Sequence, residues 1–160
     1  MLIKYLYSFF LAVLLVTFVG VGIAAFYKGP KQPEYPIGLS YPAIPDKSTE
    51  SAVMREEQIK YDKTQRDFQK QNEVYSKNVS TIAIVASLLI LVVSITLLSK
   101  IMYLSDGLLL GGVFTLIYAV IRGFSAGDEV FRFIVVTVGL AVAIFLGYWK
   151  FVRDSKKTKK

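Results

Sequence analysis

The chain has 160 residues, of which 54% are hydrophobic, and a formal net charge of +7. Its apolar residues are gathered into long runs, which is typical of segments that face lipid and excludes an ordinary soluble domain. The absence of Cys and His excludes disulfide-linked ectodomains, Cys/His metal sites and a Ser-His-Asp triad. We therefore predict no catalytic, cofactor-binding or metal-ligating residues, and no enzyme.

Four segments approach the ~20 apolar residues that a helix needs to cross the hydrocarbon layer. We predict transmembrane helices over residues 6–26, 79–98, 104–122 and 130–151. The fold class is therefore an all-α, four-helix transmembrane bundle. The short connections make helices two, three and four antiparallel neighbours. Tyr148 and Trp149 are placed as an interfacial aromatic belt on the fourth helix.

The first apolar segment has a second interpretation. Lys4, the run that follows it, and the small residues Gly22 and Ala24 resemble a secretory signal peptide with its cleavage site. The run is long for a signal sequence and long enough to span a membrane. If cleavage does occur, the mature chain keeps three spans and the same orientation.

All five prolines lie in the segment 27–47, which follows the first helix. They share one register of three residues: Pro30, Pro33, Pro36, Pro42 and Pro45. Because polyproline II has three residues per turn, their side chains would form one continuous apolar stripe. The alternative is a Pro-rich linker whose spacing is accidental.

Residues 48–78 contain no Gly or Pro and are predicted to form an amphipathic helix that continues into the second span. One row recurs every seven residues: Met54, Tyr61, Phe68 and Tyr75. The neighbouring row is polar, so the stripe is one residue wide and suits a narrow partner better than a full helix. We predict a hairpin in which the proline stripe lies antiparallel on this row. A second copy packed on the same row would instead make a coiled coil.

This segment resembles the pancreatic-polypeptide hormones, in which a proline helix lies antiparallel on an α-helix with prolines between tyrosines. The resemblance concerns architecture and implies no receptor activity. Three other stretches, FYKGPKQPEYP, SDGLLLGGVFTLIYAVIRGF and RFIVVTVGL, resemble small, uncharacterised multi-pass bacterial membrane proteins. That second resemblance implies a bacterial membrane location and no named activity.

Small residues recur at every fourth position of the last two spans. The third span has Gly107, Gly111, Thr115, Ala119 and Gly123, and the fourth has Gly139, Ala143 and Gly147. Such rows let helix backbones approach closely in lipid. They indicate packing within the bundle, with a homo-oligomer interface as the alternative. No charge lies near the middle of any span, which disfavours a transporter or proton pump.

The charges bear on the orientation and on the predicted partners. Eight basic residues lie on the side of the termini and nine in the long loop, so the count nearly ties, and the density of the C-terminal tail and the signal-like start favour one orientation. Six of the nineteen Lys and Arg residues lie in the last eleven positions, which include the basic tail 152–160. We expect both termini to be cytoplasmic in a bacterial inner or plasma membrane, with the bilayer as the main partner. The basic tail could also hold anionic lipid, and no nucleic-acid partner is predicted. The expected function is a non-catalytic scaffold or accessory subunit that presents the hairpin to a protein, with a pore-forming or holin-like oligomer as the alternative.

Overall fold

The computed structural model describes residues 2–35, 48–96 and 102–158, and in these ranges the only regular structure is α-helix. The four helices are α1 (Leu2–Phe26), α2 (Ser48–Thr96), α3 (Met102–Phe124) and α4 (Glu129–Thr158). All four are long and apolar enough to cross a membrane. The predicted all-α class is confirmed, and four such helices are compatible with a multi-pass membrane protein.

The helices extend beyond the apolar runs from which the spans were predicted. α2 has 49 residues and joins the amphipathic segment to the second span without a break. α4 has 30 residues and continues through residue 158, so most of the basic tail is helical. A helix does not need to end where the apolar residues end, because its backbone hydrogen bonds are internal to it. Gly and Pro, which would end it, are absent from α2.

α3 is the central helix of the bundle, and α1 lies parallel to it. Near the start of both helices, the Ser8 hydroxyl donates to the Tyr103 carbonyl oxygen at 2.9 Å. The pair is close because two glycines of α3 face α1. A Cβ atom at Gly107 would lie 2.8 Å from Cδ2 of Leu11, and one at Gly111 would lie 2.7 Å from Cδ2 of Leu15. These glycines therefore set the α1–α3 distance.

α2 lies antiparallel to α3 and contacts it through a row of serines. Ser80, Ser87 and Ser94 recur at heptad spacing, and each is fully buried, at 0% exposure. The Ser80 hydroxyl donates to the Ala119 carbonyl oxygen at 2.7 Å. Towards the other end of the contact, the Ser94 hydroxyl donates to the Ser105 carbonyl oxygen at 2.7 Å. Small polar residues of this kind hold helices together where lipid provides no hydrophobic drive.

The row of small residues on α3 serves different neighbours along its length. Gly107 and Gly111 face α1, whereas Ala119 packs with residues of both α1 and α2. Gly123 lies against Ser80 of α2 and Val135 of α4. A row of every fourth residue advances about 40° around the helix at each step, because a turn has ~3.6 residues. The row therefore winds from one side of α3 to the other.

The corresponding row on α4 is only partly packed. A Cβ at Gly139 would lie 3.5 Å from the Val120 side chain, an ordinary contact with α3. Ala143 is exposed, and a Cβ at Gly147 would meet nothing within 4 Å. Within one copy of the chain, Ala143 and Gly147 do not make the helix contact expected from sequence. The same drift of about 40° per step turns them away from α3.

The bundle has two ends. The terminal end is where α1 begins and α4 ends, and the projection end is where the first half of α2 leaves the bundle. At the terminal end, Lys4 of α1 lies over the Tyr103 ring, with 4.6 Å between its ammonium and the ring centroid. At the projection end, α1 finishes at Phe26 and the first half of α2 extends away from the apolar segments. The α3–α4 connection is also at the projection end.

Candidate functional site

The first half of α2 projects well beyond the bundle. Residues 48–76 form about 43 Å of helix, at a rise of ~1.5 Å per residue. Most of its described side chains are exposed, but one face is partly buried. The residues on that face are Met54, Tyr61, Gln65, Phe68, Asn72 and Tyr75. This set contains the whole heptad row and two residues of the polar row beside it. The covered face is therefore the face that carries the heptad row recognised in the sequence.

The residues that follow α1 run back along this face as a non-helical segment, residues 27–35, which we call the strap. The ring of Tyr27 stacks on that of Tyr75, with centroids 5.2 Å apart and planes 2° from parallel. The ring of Tyr35 meets that of Tyr61 edge-on, with centroids also 5.2 Å apart. The two helix positions are about 21 Å apart along the axis. The nine strap residues cover this distance in eight steps of about 2.6 Å, against about 3.3 Å for a fully extended chain, so the strap runs antiparallel to α2 without being fully stretched.

Tyrosines of the strap make the ring contacts with α2. The sequence predicts that Tyr61, Phe68 and Tyr75 insert between successive prolines. Pro30 lines a cleft together with Tyr75, while Pro36, Pro42 and Pro45 lie outside the described residues. The expected contact of Phe68 with Pro33, Pro36 or Leu39 stays a prediction, because two of those three residues also lie outside them.

The contribution of Tyr27 was not anticipated from the sequence. The signal that could have identified it is its position directly after an apolar run, where aromatic residues of interfacial belts occur.

The base of the strap is fastened by polar contacts from two helices. The Tyr75 hydroxyl donates to the Tyr27 carbonyl oxygen at 3.2 Å, and the Asn78 amide donates to the Tyr27 hydroxyl at 2.7 Å. The guanidinium of Arg122, on α3, lies 5.1 Å from the centroid of the Tyr75 ring. A cation at this distance from an aromatic ring is attracted to its face. Tyr75 therefore joins the strap, α2 and α3 at one point.

A second set of polar contacts joins the projection to α4. The Lys77 ammonium pairs with the Asp128 carboxylate at 3.1 Å. The other oxygen of Asp128 accepts from the N–H groups of Val130 and Phe131, at 3.0 and 3.2 Å. Asp128 is thus the N-cap of α4, a position where Asp is favoured because it satisfies otherwise unpaired N–H groups. The sequence by itself indicates only solvated charges here.

The turn between α3 and α4 requires a glycine. Gly127 has φ of +68°, in the left-handed region that favours glycine. The Glu73 carboxyl group occupies the side of Gly127 where a Cβ atom would stand, so a residue with a side chain would clash with it. Glu73 lies on α2 one turn before Lys77, so two successive turns of the projection meet the α3–α4 connection. These contacts hold the base of the projection against the bundle.

The contacts of Asp128 predict how stability depends on pH. The Phe131 N–H and the Lys77 ammonium lower the pKa of the Asp128 carboxyl below its usual range. A lowered pKa in the folded state means that the carboxylate stabilises the fold above the ordinary value of about 3.9 and loses this effect at lower pH. Asp128→Asn keeps the capping ability. We expect it to unfold at lower temperature than the parent at pH 6 and to approach the parent near pH 3.

The measurement is the unfolding temperature in detergent, followed by circular dichroism between pH 3 and pH 8. Asp62→Asn is the matched control, because Asp62 is exposed on the projection. The difference between Asp128→Asn and the parent should narrow as the pH falls. A difference that stays constant over this range would contradict an ionic role for Asp128.

A metal centre is another kind of site to consider among the described residues. Within them, no group of three or more His, Cys, Asp or Glu side chains is placed to hold a metal ion. No protein-family model, curated protein or solved structure matches the chain. The strap, the projection and the contacts at their base therefore form the candidate functional site.

Proposed function

We propose that the chain is a non-catalytic membrane scaffold or accessory subunit that presents the α2 projection and its strap to a protein partner. The observation that carries this proposal is the continuity of α2, which runs from Ser48 to Thr96. An unbroken helix keeps its two ends at a fixed distance and direction from each other, because bending it would break backbone hydrogen bonds. A partner bound to the projection would therefore be held at a defined distance and direction from the membrane.

The surface of the projection supports a location in water. Its exposed side chains are charged at ten positions: Arg55, Glu56, Glu57, Lys60, Asp62, Lys63, Arg66, Asp67, Lys70 and Glu73. The signs are mixed, with opposite charges often three or four residues apart, a spacing that stabilises an exposed helix. A helix built this way is stable without a second full-length helix against its outer face. The outer face is therefore available to a partner.

The orientation we propose has both termini in the cytoplasm of a bacterial cell and the projection outside. In the sequence, six basic residues occupy the last eleven positions, directly after the last apolar run, and Lys4 and Lys100 flank other apolar runs on the same predicted side. The other predicted side has eleven basic residues, but they are spread over positions 28–77, 122 and 132, so the density of the tail supports the orientation. Basic residues close to span ends are retained on the cytoplasmic side.

Cysteine labelling tests the orientation directly, because the parent chain has no Cys. Lys63→Cys lies on the exposed side of the projection, and Thr158→Cys lies at the end of α4. An impermeant maleimide applied to intact cells should label the first and not the second. In permeabilised cells both should label. The reverse pattern on intact cells would invert the orientation.

The scaffold function is tested by site-specific photocrosslinking in native membranes. A photoreactive side chain at Arg66, on the outer face of the projection, should give a discrete protein adduct of one size. The same side chain at Leu140, which is 60% exposed on an apolar face of α4, should give mainly lipid adducts. A lack of protein adducts at Arg66 and at its neighbour Lys63 would contradict the proposal.

A pore-forming oligomer is the second candidate, favoured by the open small-residue face at Ala143 and Gly147. Purified chain in liposomes would then release a trapped dye, and adducts at Leu140 would be dimers of the chain. The scaffold proposal expects neither result. A dye leak that disappears in the Ala143→Leu variant would replace the scaffold with the pore.

A further inference from the structure

A cleft lies where the strap begins, between residues 27–30 and the α2 segment 70–75. Its volume is about 510 Å³, and it is a shallow cleft that is wide open to solvent. The residues that line it are Tyr27, Lys28, Gly29, Pro30, Lys70, Gln71, Val74 and Tyr75. The strap approaches so closely that a Cβ at Gly29 would lie 3.1 Å from the Tyr75 ring. The cleft is therefore a direct consequence of how the strap docks on α2.

The lining of the cleft is basic. It contains two ammonium groups, from Lys28 and Lys70, one side-chain amide, from Gln71, and no carboxylate. Both lysines are exposed. Within the described part of the chain, the ion pair at the base of the projection, Lys77–Asp128, uses neither of them. The ammonium and amide groups are hydrogen-bond donors of the kind that bind phosphate oxygens.

The position of the cleft along α2 relates it to the membrane. The apolar run of α2 begins at Val79, so Tyr75 lies about 6 Å and Lys70 about 13 Å before it along the helix. The headgroup layer on each side of a bilayer is roughly 5–8 Å thick. In the membrane arrangement proposed above, Tyr75 is thus level with the headgroups, and the backbone of Lys70 lies about 5–8 Å beyond them. A lysine side chain can extend over most of this distance, so its ammonium group can approach a lipid phosphate.

We propose that this cleft binds the headgroup of an anionic phospholipid. The phosphodiester lies between the Lys28 and Lys70 ammonium groups, and the glycerol carbons lie against Val74 and the tyrosine rings. Val74, 60% exposed, provides apolar surface that a purely ionic ligand would not use. The site is at the opposite end of the bundle from the basic tail. Its occupation would stabilise the docked strap, because ligand contacts come from both the strap and α2.

The test uses the full chain in nonionic detergent, titrated with short-chain phosphatidylglycerol and followed by native mass spectrometry. Each basic side chain near an anionic headgroup contributes a factor of about five to affinity, so Lys28→Gln with Lys70→Gln should weaken binding about 25-fold. The control is Lys60→Gln with Lys63→Gln, which makes the same charge change elsewhere on α2. It should leave binding within about twofold of the parent. Val74→Glu, which adds an acid without removing a lysine, should also weaken binding.

Other results would overturn the proposal. Equal losses in the two double variants would mean general attraction between lipid and a basic surface. Full competition by millimolar inorganic phosphate would make the site one for free phosphate instead of a lipid headgroup. If the Lys28/Lys70 variant loses helical content, the Val74→Glu variant decides, and unchanged binding there contradicts a site in the cleft. Absence of binding by the parent chain also contradicts it.

Discussion

Replacing Gly111 with Leu should destabilise the bundle by roughly 3 kcal/mol, because the new side chain would overpack the contact between α1 and α3. A Cβ at this position would lie 2.7 Å from Cδ2 of Leu15 and 3.3 Å from the Cα of Ala12. Leu15 could rotate away, but the Cα of Ala12 belongs to the α1 backbone and can move only if the helix moves. The larger side chain therefore forces α1 away from α3. Separation would also break the Ser8–Tyr103 hydrogen bond.

The measurement is unfolding in detergent by a denaturant titration, with circular dichroism reporting helix loss. Gly147→Leu is the matched control, because it is the same substitution in an apolar helix of the bundle but faces open space. We expect the control to change stability by less than about 1 kcal/mol. Equal effects of the two substitutions would show that α1 does not pack on α3 through this glycine.

Replacing Tyr75 with Ala should release the strap from α2 while leaving the transmembrane helices folded. The substitution removes the stack on Tyr27, the hydrogen bond to the Tyr27 carbonyl and the Arg122 contact. Loss of a partly buried aromatic with these partners costs roughly 2–3 kcal/mol. Local opening of the strap should then become about 30- to 150-fold more frequent.

Limited proteolysis measures this opening. We expect trypsin to cleave after Lys28 when the strap leaves the helix, because the adjacent Tyr27 backbone is held by the Tyr75 hydroxyl in the docked form. Cleavage at this bond should therefore be faster by that factor in Tyr75→Ala. Val74→Ala, one residue away and exposed, should be cleaved at the parent rate. Tyr75→Phe removes only the hydroxyl and should have a small effect, of about 1 kcal/mol. Similar rates for Tyr75→Ala and Val74→Ala would mean that Tyr75 does not hold the strap.

The two substitutions differ in how well the sequence alone anticipated them. Gly111 was recognised because small residues at fourfold spacing are a known helix-packing pattern. The sequence did not tell which helix it faces, since the pattern contains no information about the partner. Tyr75 was recognised as part of a heptad row, whereas its main partner, Tyr27, has no repeat to mark it. The Lys77–Asp128 pair was also missed, because 51 residues separate the two side chains along the chain.

Local patterns in the sequence determined the helical class, the four apolar segments and the covered face of the projection. Each of these follows from properties that act over a few residues: apolar length, helix periodicity and the absence of Gly and Pro. The choice of neighbours was decided only by the tertiary structure. The small residues of α3 contact α1 at one end and α2 with α4 at the other, because a row of every fourth residue winds around the helix. The row on α4 winds in the same way and contacts α3 only at Gly139. Among the residues that the structure describes, no other helix lies against Ala143 or Gly147.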